Sequence, residues 1–360
     1  MPPPAIDAEK SGQSRPAANQ DCDPVTPSAH AATSLTGPGV DHMPAGDIVV
    51  PELAVAAVRE KTRPSRMGDY QEIFKVRVTS MVVLTAWAGF YLGSMRSGIT
   101  SIHWGLVESL LGIALVSCGA SAMNQVIERK IDARMIRTAQ RPLAAGRLSL
   151  LHGLALGLAC FAAGALVLAW FTNPVTVMLT LLTGFAYVAV YTPLKRYTTL
   201  ATFIGAFPGA MPPLLGWTAA RGVIEWPAVA LFAILFVWQF PHFMAIAWLY
   251  REDYARAGIR MLPVVQPDGW STACEALIYA VLMIPVSAIP FYLHITGSIY
   301  LVTSVLLGLV YLAYTIRFAR ITRALTTAES RGYARDLLRA SVIYLPLLLT
   351  VMMLNATGRR

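Results

Sequence analysis

SAMNQVIERKIDARMIRTAQRPLAAGR, residues 121–147, decides the reading of this chain. Asn124, Glu128 and Asp132 recur at steps of four where an apolar helix runs into a strongly charged loop. Each step of four turns an α-helix by about 400°, so the side chains drift by only about 40° per step and share one face. Two carboxylates and an amide carbonyl on one face are hard oxygen donors suited to Mg²⁺. Arg137 and Arg141 follow one turn apart, and planar guanidinium groups match phosphate oxygens. Acids able to hold Mg²⁺ beside bases able to hold phosphate point to a diphosphate at a membrane edge. The same spacing also describes a solvated helix end that pairs Glu128 and Asp132 with Arg129, Lys130 and Arg134. The site reading gains because acids are otherwise scarce in the apolar part of the chain, where ionisable groups are costly.

Composition sets the surroundings of this motif. The chain is 56% hydrophobic and only 14% charged, with mean hydropathy +0.54. Soluble proteins carry about 25% charged residues, so the expected class is all-α, a polytopic membrane protein. The net charge of +9 does not indicate a nucleic-acid partner, because the Lys and Arg residues cluster in alternate loops. The 14 Met residues lie mostly in apolar runs and read as packing. Cys22, Cys118, Cys160 and Cys274 have no metal-binding spacing and suggest no disulfide framework.

Residues 1–65, rich in Pro, Ala, Ser, Gly and Asp without apolar period, are expected to form a disordered extension. They show no secretory signal pattern, and Asp7, Glu9, Asp21 and Asp23 argue against a transit peptide. Residues 66–360 form the membrane domain. Nine spans of about 20 residues are expected, at roughly 77–95, 103–123, 150–172, 174–193, 198–219, 226–248, 272–293, 298–317 and 338–356. With these spans, 25 of the 29 Lys and Arg residues fall on one side, leaving Arg96, Arg221, Arg359 and Arg360 on the other. The positive-inside rule then places the N-terminus in the cytosol and the C-terminus outside, with Asp132 at the cytosolic end of the second span. The nine-span cluster is expected to surround a central cavity open to the cytosolic side.

Two further constellations fall on that side. Tyr191-Thr192-Pro193-Leu194-Lys195-Arg196 forms a very tight connection between the fourth and fifth spans, which would hold Lys195 and Arg196 at the cavity rim to stabilise a departing diphosphate. Simple positive-inside topology also accounts for each of these cations taken singly. The sixth span and its exit read WQFPHFMAIAWLYREDYARAGIRMLP, residues 238–263. His242 there is either a packing residue or a contact to a polar or metal-bearing substrate, since neutral imidazole is a common iron ligand. Glu252 and Asp253 are candidates for a second Mg²⁺ site. An ion-coupled transporter is the rival class, but transporter sites lie near the bilayer midplane, whereas these acids lie at one edge.

Three blocks carry a resemblance. NQVIERKIDARMIRTAQRPLAAGRLS, YTPLKRYTTLATFIGAFPGAMPPLLGW and WQFPHFMAIAWLYREDYARAGIRMLPVV resemble, in this order, the signatures of the haem O synthase (protohaem IX farnesyltransferase) branch of the UbiA-type intramembrane prenyltransferases. The likeness spans about residues 70–355. NxxxDxxxD marks only the superfamily, whereas RTxxRPL, FPGAMPP and REDYxxAGxxMLP are specific to the haem branch. Two departures stand out: Glu128 where many relatives carry Asp, and no DxxxD in the second region. The resemblance implies transfer of a farnesyl group from farnesyl diphosphate to a vinyl group of haem B, giving haem O for haem A and terminal oxidases. It implies Mg²⁺ held by Asn124, Glu128, Asp132 and Asp253. Arg137, Arg141, Lys195, Arg196, Tyr191, Glu252 and His242 would bind substrate. A bacterial inner membrane is the expected location and haem A synthase a candidate partner. The alternative acceptor is another aromatic compound such as 4-hydroxybenzoate.

Overall fold

The computed structural model of the protein describes residues 65–98, 104–324 and 326–357, all within the unit Arg63–Arg360. The expectation for residues 1–65 therefore lies outside the described residues, apart from Ser65. Its hydroxyl caps the first helix, accepting from Gly68 N at 3.1 Å. The helices are α1 (Arg66–Ile73), α2 (Val76–Arg96), α3 (Trp104–Asp132), α4 (Leu150–Phe171), α5 (Pro174–Phe185), α6 (Ala201–Arg221), α7 (Trp226–Leu249), α8 (Arg251–Ala257), α9 (Trp270–Tyr292), α10 (Ser298–Phe318) and α11 (Thr327–Leu354). Among the described residues the sole β-type pairing is the bridge between Thr296 and Ala356.

Among the described residues, eight helices are long and apolar enough to cross a membrane. The expected fifth span is α6, which has spanning length but carries Pro208, Pro212 and Pro213 and is buried along much of its length. Two helices outrun their expected bounds. α3 continues past residue 123 to Asp132, because Gln, Glu, Arg and Lys favour a helix and no Gly or Pro intervenes. The acidic motif thus lies on the last turns of a helix, as its spacing by four implies. α11 starts at Thr327, capped by Thr326, so its first turns carry Arg331, Arg335 and Arg339. Elsewhere local chemistry sets the ends: Ser149 caps α4 by accepting from His152 N at 3.2 Å, and Asn173 caps α5 with Pro174 in its first turn.

The helices run between two faces. On one face the turns around Phe74, residues 133–149, Lys195 and Arg260 meet; Arg260 N donates to Lys195 O at 3.2 Å. On the other, Arg221 Nη1 donates to Ser97 Oγ at 2.6 Å and Gly297 N to Asn355 O at 3.0 Å. Trp104, Trp170, Trp226 and Trp270 all sit at or next to helix ends and stay exposed, as amphipathic rings do at bilayer interfaces. Leu151, Leu166, Met178 and Leu306 are exposed along the outer surface, which is the expected face for lipid.

Close approach of backbones draws the site-bearing helices together. A Cβ on Gly89 of α2 would collide with the Pro213 carbonyl of α6, and one on Gly216 of α6 with the Ala86 carbonyl of α2. Small residues at such crossings are how helices pack where no hydrophobic drive separates them from lipid. One buried cluster joins α2, α3, α4 and α6 through Ala86, Ile113, Val116, Leu168 and Leu215. A larger one joins α6, α7, α9, α10 and α11 around Trp217, Met244, Tyr300, Tyr311 and Phe318.

Candidate active site

Asn124, Glu128 and Asp132 lie on one buried face of α3 and are 0%, 6% and 1% exposed. Buried charges need partners, and each oxygen-bearing group here has a cation. Asn124 Oδ1 accepts from Lys75 Nζ at 2.7 Å, Glu128 Oε1 from Lys195 Nζ at 3.1 Å, and both Asp132 oxygens from Arg141 Nη1 at 2.9 Å. The Asn124 amide nitrogen donates to Glu128 Oε2 and to Thr192 Oγ1, both at 3.0 Å. The three residues are therefore brought together as expected. Lys195 and Arg141 converge on them, and Tyr191 lies against Lys195, whose Nζ is 4.4 Å from the ring centroid.

Lys75, Tyr187 and Thr192 complete the group and were not picked out from the sequence. Lys75 has φ 47° and ψ 51°, a left-handed conformation that costs a non-glycine residue about 1–2 kcal/mol. Gln125 holds this turn, donating from Nε2 to Glu72 O at 2.7 Å and Ile73 O at 3.2 Å. The turn aims Lys75 at Asn124 and at the Tyr187 hydroxyl, 3.2 Å away. Tyr187 and Tyr191 are carried on a π-helical turn, Ala186–Tyr191. Such turns recur at functional sites. Thr192 Oγ1 reaches back to Tyr187 O at 2.8 Å. A lone lysine before the first span and a tyrosine inside an apolar span carry no period that marks them.

Burial does not strip Lys195 or Arg141 of charge. Burial alone would lower the Lys195 pKa, but Tyr191, Glu128 and Tyr187 more than reverse this and push it up. Burial likewise acts against the Arg141 guanidinium, and Asp132, then Glu72 and Glu128, outweigh it.

The other expected residues are distributed differently. Asp253 Oδ1 and Oδ2 accept from the backbone amides of Ile136 and Arg137, each at 3.3 Å, and Oδ1 also meets Arg256. Asp253 thus pins the loop that carries Arg141. Arg137 is exposed, with its guanidinium 4.4 Å above the Tyr250 ring and Nη2 3.2 Å from the Tyr254 hydroxyl. Glu252 points to α11, where its carboxylate pairs with Arg331 at 3.0 Å. Arg196 is exposed. His242 stacks on Trp238 with ring centroids 4.9 Å apart, and its Nδ1 is 2.7 Å from Ser341 Oγ.

Beneath the charged group lies an apolar cavity of about 290 Å³. Tyr187, Tyr191 and Ser121 line its charged end, and Val82, Ile113, Val116, Thr180, Pro208, Pro212 and Leu215 are among its walls. Gly205 leaves room there for the Tyr191 ring, which any Cβ would strike. Among the described residues no three His, Cys, Asp or Glu side chains gather as a metal cluster. Two carboxylates and an amide oxygen on one buried face are the donor type that Mg²⁺ takes when substrate phosphates and water complete its shell, although each is paired with a Lys or Arg side chain in this structure. The arrangement is a cationic and hard-oxygen mouth over an apolar pouch, suited to a long apolar tail bearing a phosphate group.

Comparison with known proteins agrees with this shape. The model of the UbiA prenyltransferase family matches residues 82–335. A protoheme IX farnesyltransferase from Koribacter versatilis (strain Ellin345) is 53% identical over 293 residues, 81% of this chain and 94% of that protein. One from Solibacter usitatus (strain Ellin6076) is 42% identical over 302 residues, 81% of this chain and 100% of that protein. Among solved structures, a digeranylgeranylglyceryl phosphate synthase matches with TM-score 0.64 at 16% identity, covering 80% of this chain and 98% of that one. A UbiA homolog from Archaeoglobus fulgidus bound to GPP and Mg²⁺ matches with TM-score 0.52 at 15% identity, covering 79% and 99%. At such identities the structural likeness is one of fold.

Proposed function

The chain belongs to the UbiA prenyltransferase family, and from that premise we propose that it transfers the farnesyl group of farnesyl diphosphate to a vinyl group of haem B, giving haem O. The carrying observation is the joining of the Asn124–Glu128–Asp132 face to an apolar cavity through Lys75, Lys195, Tyr187 and Tyr191. The farnesyl tail occupies the cavity and the diphosphate faces Lys75, Lys195 and Arg141. Apolar walls keep water from the reacting carbon until the acceptor is in place.

Breaking the allylic C–O bond leaves its electron pair on the diphosphate oxygen and positive charge on the farnesyl chain. Fixed ammonium and guanidinium groups strengthen their hold as negative charge grows on the leaving group. The π electrons of the haem vinyl group form the new C–C bond. Water then adds to the resulting cation and loses a proton, leaving the hydroxyl of haem O. Mg²⁺ held by Asn124, Glu128 and Asp132 would supply Lewis-acid neutralisation of the diphosphate. Asp253 serves by holding the loop that carries Arg141, and Arg137 extends the cationic rim. His242, whose Nδ1 is engaged by Ser341, is the candidate haem contact through its imidazole.

The protein is a multi-pass membrane enzyme. The charge asymmetry supports a cytosolic N-terminus and a cytosolic mouth in a bacterial inner membrane. Haem A synthase is a candidate recipient of the product. The test is incubation of purified protein in lipid vesicles with farnesyl diphosphate, Mg²⁺ and haem B, followed by mass spectrometry of extracted haems. Haem O is the expected product; farnesylation of 4-hydroxybenzoate with haem B untouched would replace the acceptor.

A further inference from the structure

Resting on the farnesyl-transfer reading above, we propose that Ile113, Thr180 and Leu215 form a floor that measures the isoprenoid tail and limits the donor to three isoprene units. The cavity has a polar and an apolar end. Its mouth lies at Tyr187 and Tyr191, which touch the two lysines that hold Asn124 and Glu128. Its deepest lining residue on α3 is Ile113, eleven positions before Asn124. On α5 the deepest is Thr180, eleven positions before Tyr191. On α6, which runs the other way, Leu215 lies ten positions beyond Gly205. At 1.5 Å per residue, the α3 and α6 spacings place the floor about 15–17 Å from the mouth. A farnesyl backbone of twelve carbons has eleven bonds and, extended at about 1.2 Å per bond, reaches about 13 Å. A tail with a fourth isoprene unit reaches about 5 Å further and would meet the floor.

The floor is closed and unyielding. Ile113, Thr180 and Leu215 are each 2% exposed. Behind Ile113 and Leu215 stand Ala86 and Leu168, with Leu110, Val177 and Met211 packed against them. Close-packed interiors do not open for an added group without strain. The floor also offers no free polar group, because the Thr180 hydroxyl donates to Thr176 O at 2.8 Å. It therefore suits the methyl-bearing end of an isoprenoid.

Competition between donors tests the proposal. Wild-type protein and the Ile113→Ala and Leu215→Ala variants, in vesicles with haem B, receive equal amounts of farnesyl and geranylgeranyl diphosphate, and the prenylated haems are resolved by mass. Either Ala variant should raise the ratio of geranylgeranylated to farnesylated haem about tenfold or more over wild type, because removal of pocket bulk is read directly as donor discrimination. In a parallel competition between farnesyl and geranyl diphosphate, the Ile113→Phe variant should shift preference the other way, towards geranyl diphosphate. Unchanged donor ratios in every variant that inserts and turns over would overturn the floor assignment. Wild-type protein that forms no prenylated haem in the same assay would instead defeat the acceptor reading.

Discussion

Lys75 Nζ lies 2.7 Å from Asn124 Oδ1, across 49 positions of sequence. The contact depends on a left-handed lysine held by Gln125, and it sets an ammonium group at the boundary between the oxygen-rich face of α3 and the apolar cavity. A strained conformation kept at such a place suggests a task beyond packing. Replacing Lys75 by Met should lower kcat/KM for farnesyl diphosphate about ten- to hundredfold, the worth of one hydrogen bond to a charged group. Lys75→Arg should recover part of the loss. Steady-state kinetics in vesicles checks this, and wild-type kcat/KM in Lys75→Met would reduce the residue to a packing role.

Asp253 and the loop after α3 give a second expectation. The carboxylate accepts from the amides of Ile136 and Arg137, and the same loop delivers Arg141 to Asp132. Asp253→Ala should loosen this loop, raising KM for farnesyl diphosphate about tenfold with a smaller change in kcat. Limited trypsin digestion should cut faster at Arg134 and Arg137. A collapse of kcat at unchanged KM, with the loop still protected, would place Asp253 in the chemistry as a metal ligand.

The three oxygen-bearing residues of α3 were legible because their relationship is local: spacing by four survives whatever the helix packs against. The cations were legible as a pool on one side of the membrane, but not as partners. Nothing in the order of residues pairs Glu128 with Lys195, which is 67 positions away, or sends Glu252 to Arg331, 79 positions away. Lys75 and Tyr187 escaped for a different reason. Their placement depends on a left-handed turn and a π-helical turn, and neither leaves a trace in hydrophobic period. The same limit blurred span ends, because α3 and α11 carry charged residues beyond the apolar part that marks a membrane crossing. The buried and proline-bearing α6 was legible as a helix, while among the described residues eight other helices meet the length and apolarity of a crossing.

Lys195 yields an expectation about pH. Burial opposes its charge, yet Tyr191, Glu128 and Tyr187 raise its pKa above the ordinary lysine value of 10.5. A pKa raised by folding gives a contribution that is whole below the unfolded value and fades only as pH climbs through the folded one. Lys195 should therefore stay cationic throughout about pH 6–9, and Lys195→Ala should lower the rate by a similar factor across that range. The measurement is kcat/KM against pH for both proteins. An alkaline fall in the wild type within this range that disappears in Lys195→Ala would show that Lys195 titrates there.

Divalent metal gives the last expectation, and the choice of variant matters. Asp132 is 1% exposed and both its oxygens accept from Arg141. Asp132→Ala leaves a largely buried guanidinium without its partner, and such losses cost about 3–5 kcal/mol. Inactivity of that variant alone would mix misfolding with lost chemistry. Asp132→Asn and Glu128→Gln keep size and one carbonyl oxygen while removing the charge that neutralises a divalent ion. Both should insert normally by size-exclusion profile and lose about a hundredfold or more in haem O formation, as expected when several kcal/mol of charge stabilisation disappear. Treatment of wild-type vesicles with EDTA should stop the reaction and added Mg²⁺ should restore it. The Mg²⁺ concentration for half activity should rise in Glu128→Gln, a shift that a merely structural carboxylate would not produce. Full turnover after exhaustive chelation would leave Lys75, Lys195 and Arg141 to stabilise the leaving group alone, and Glu128 and Asp132 would then serve only to position them.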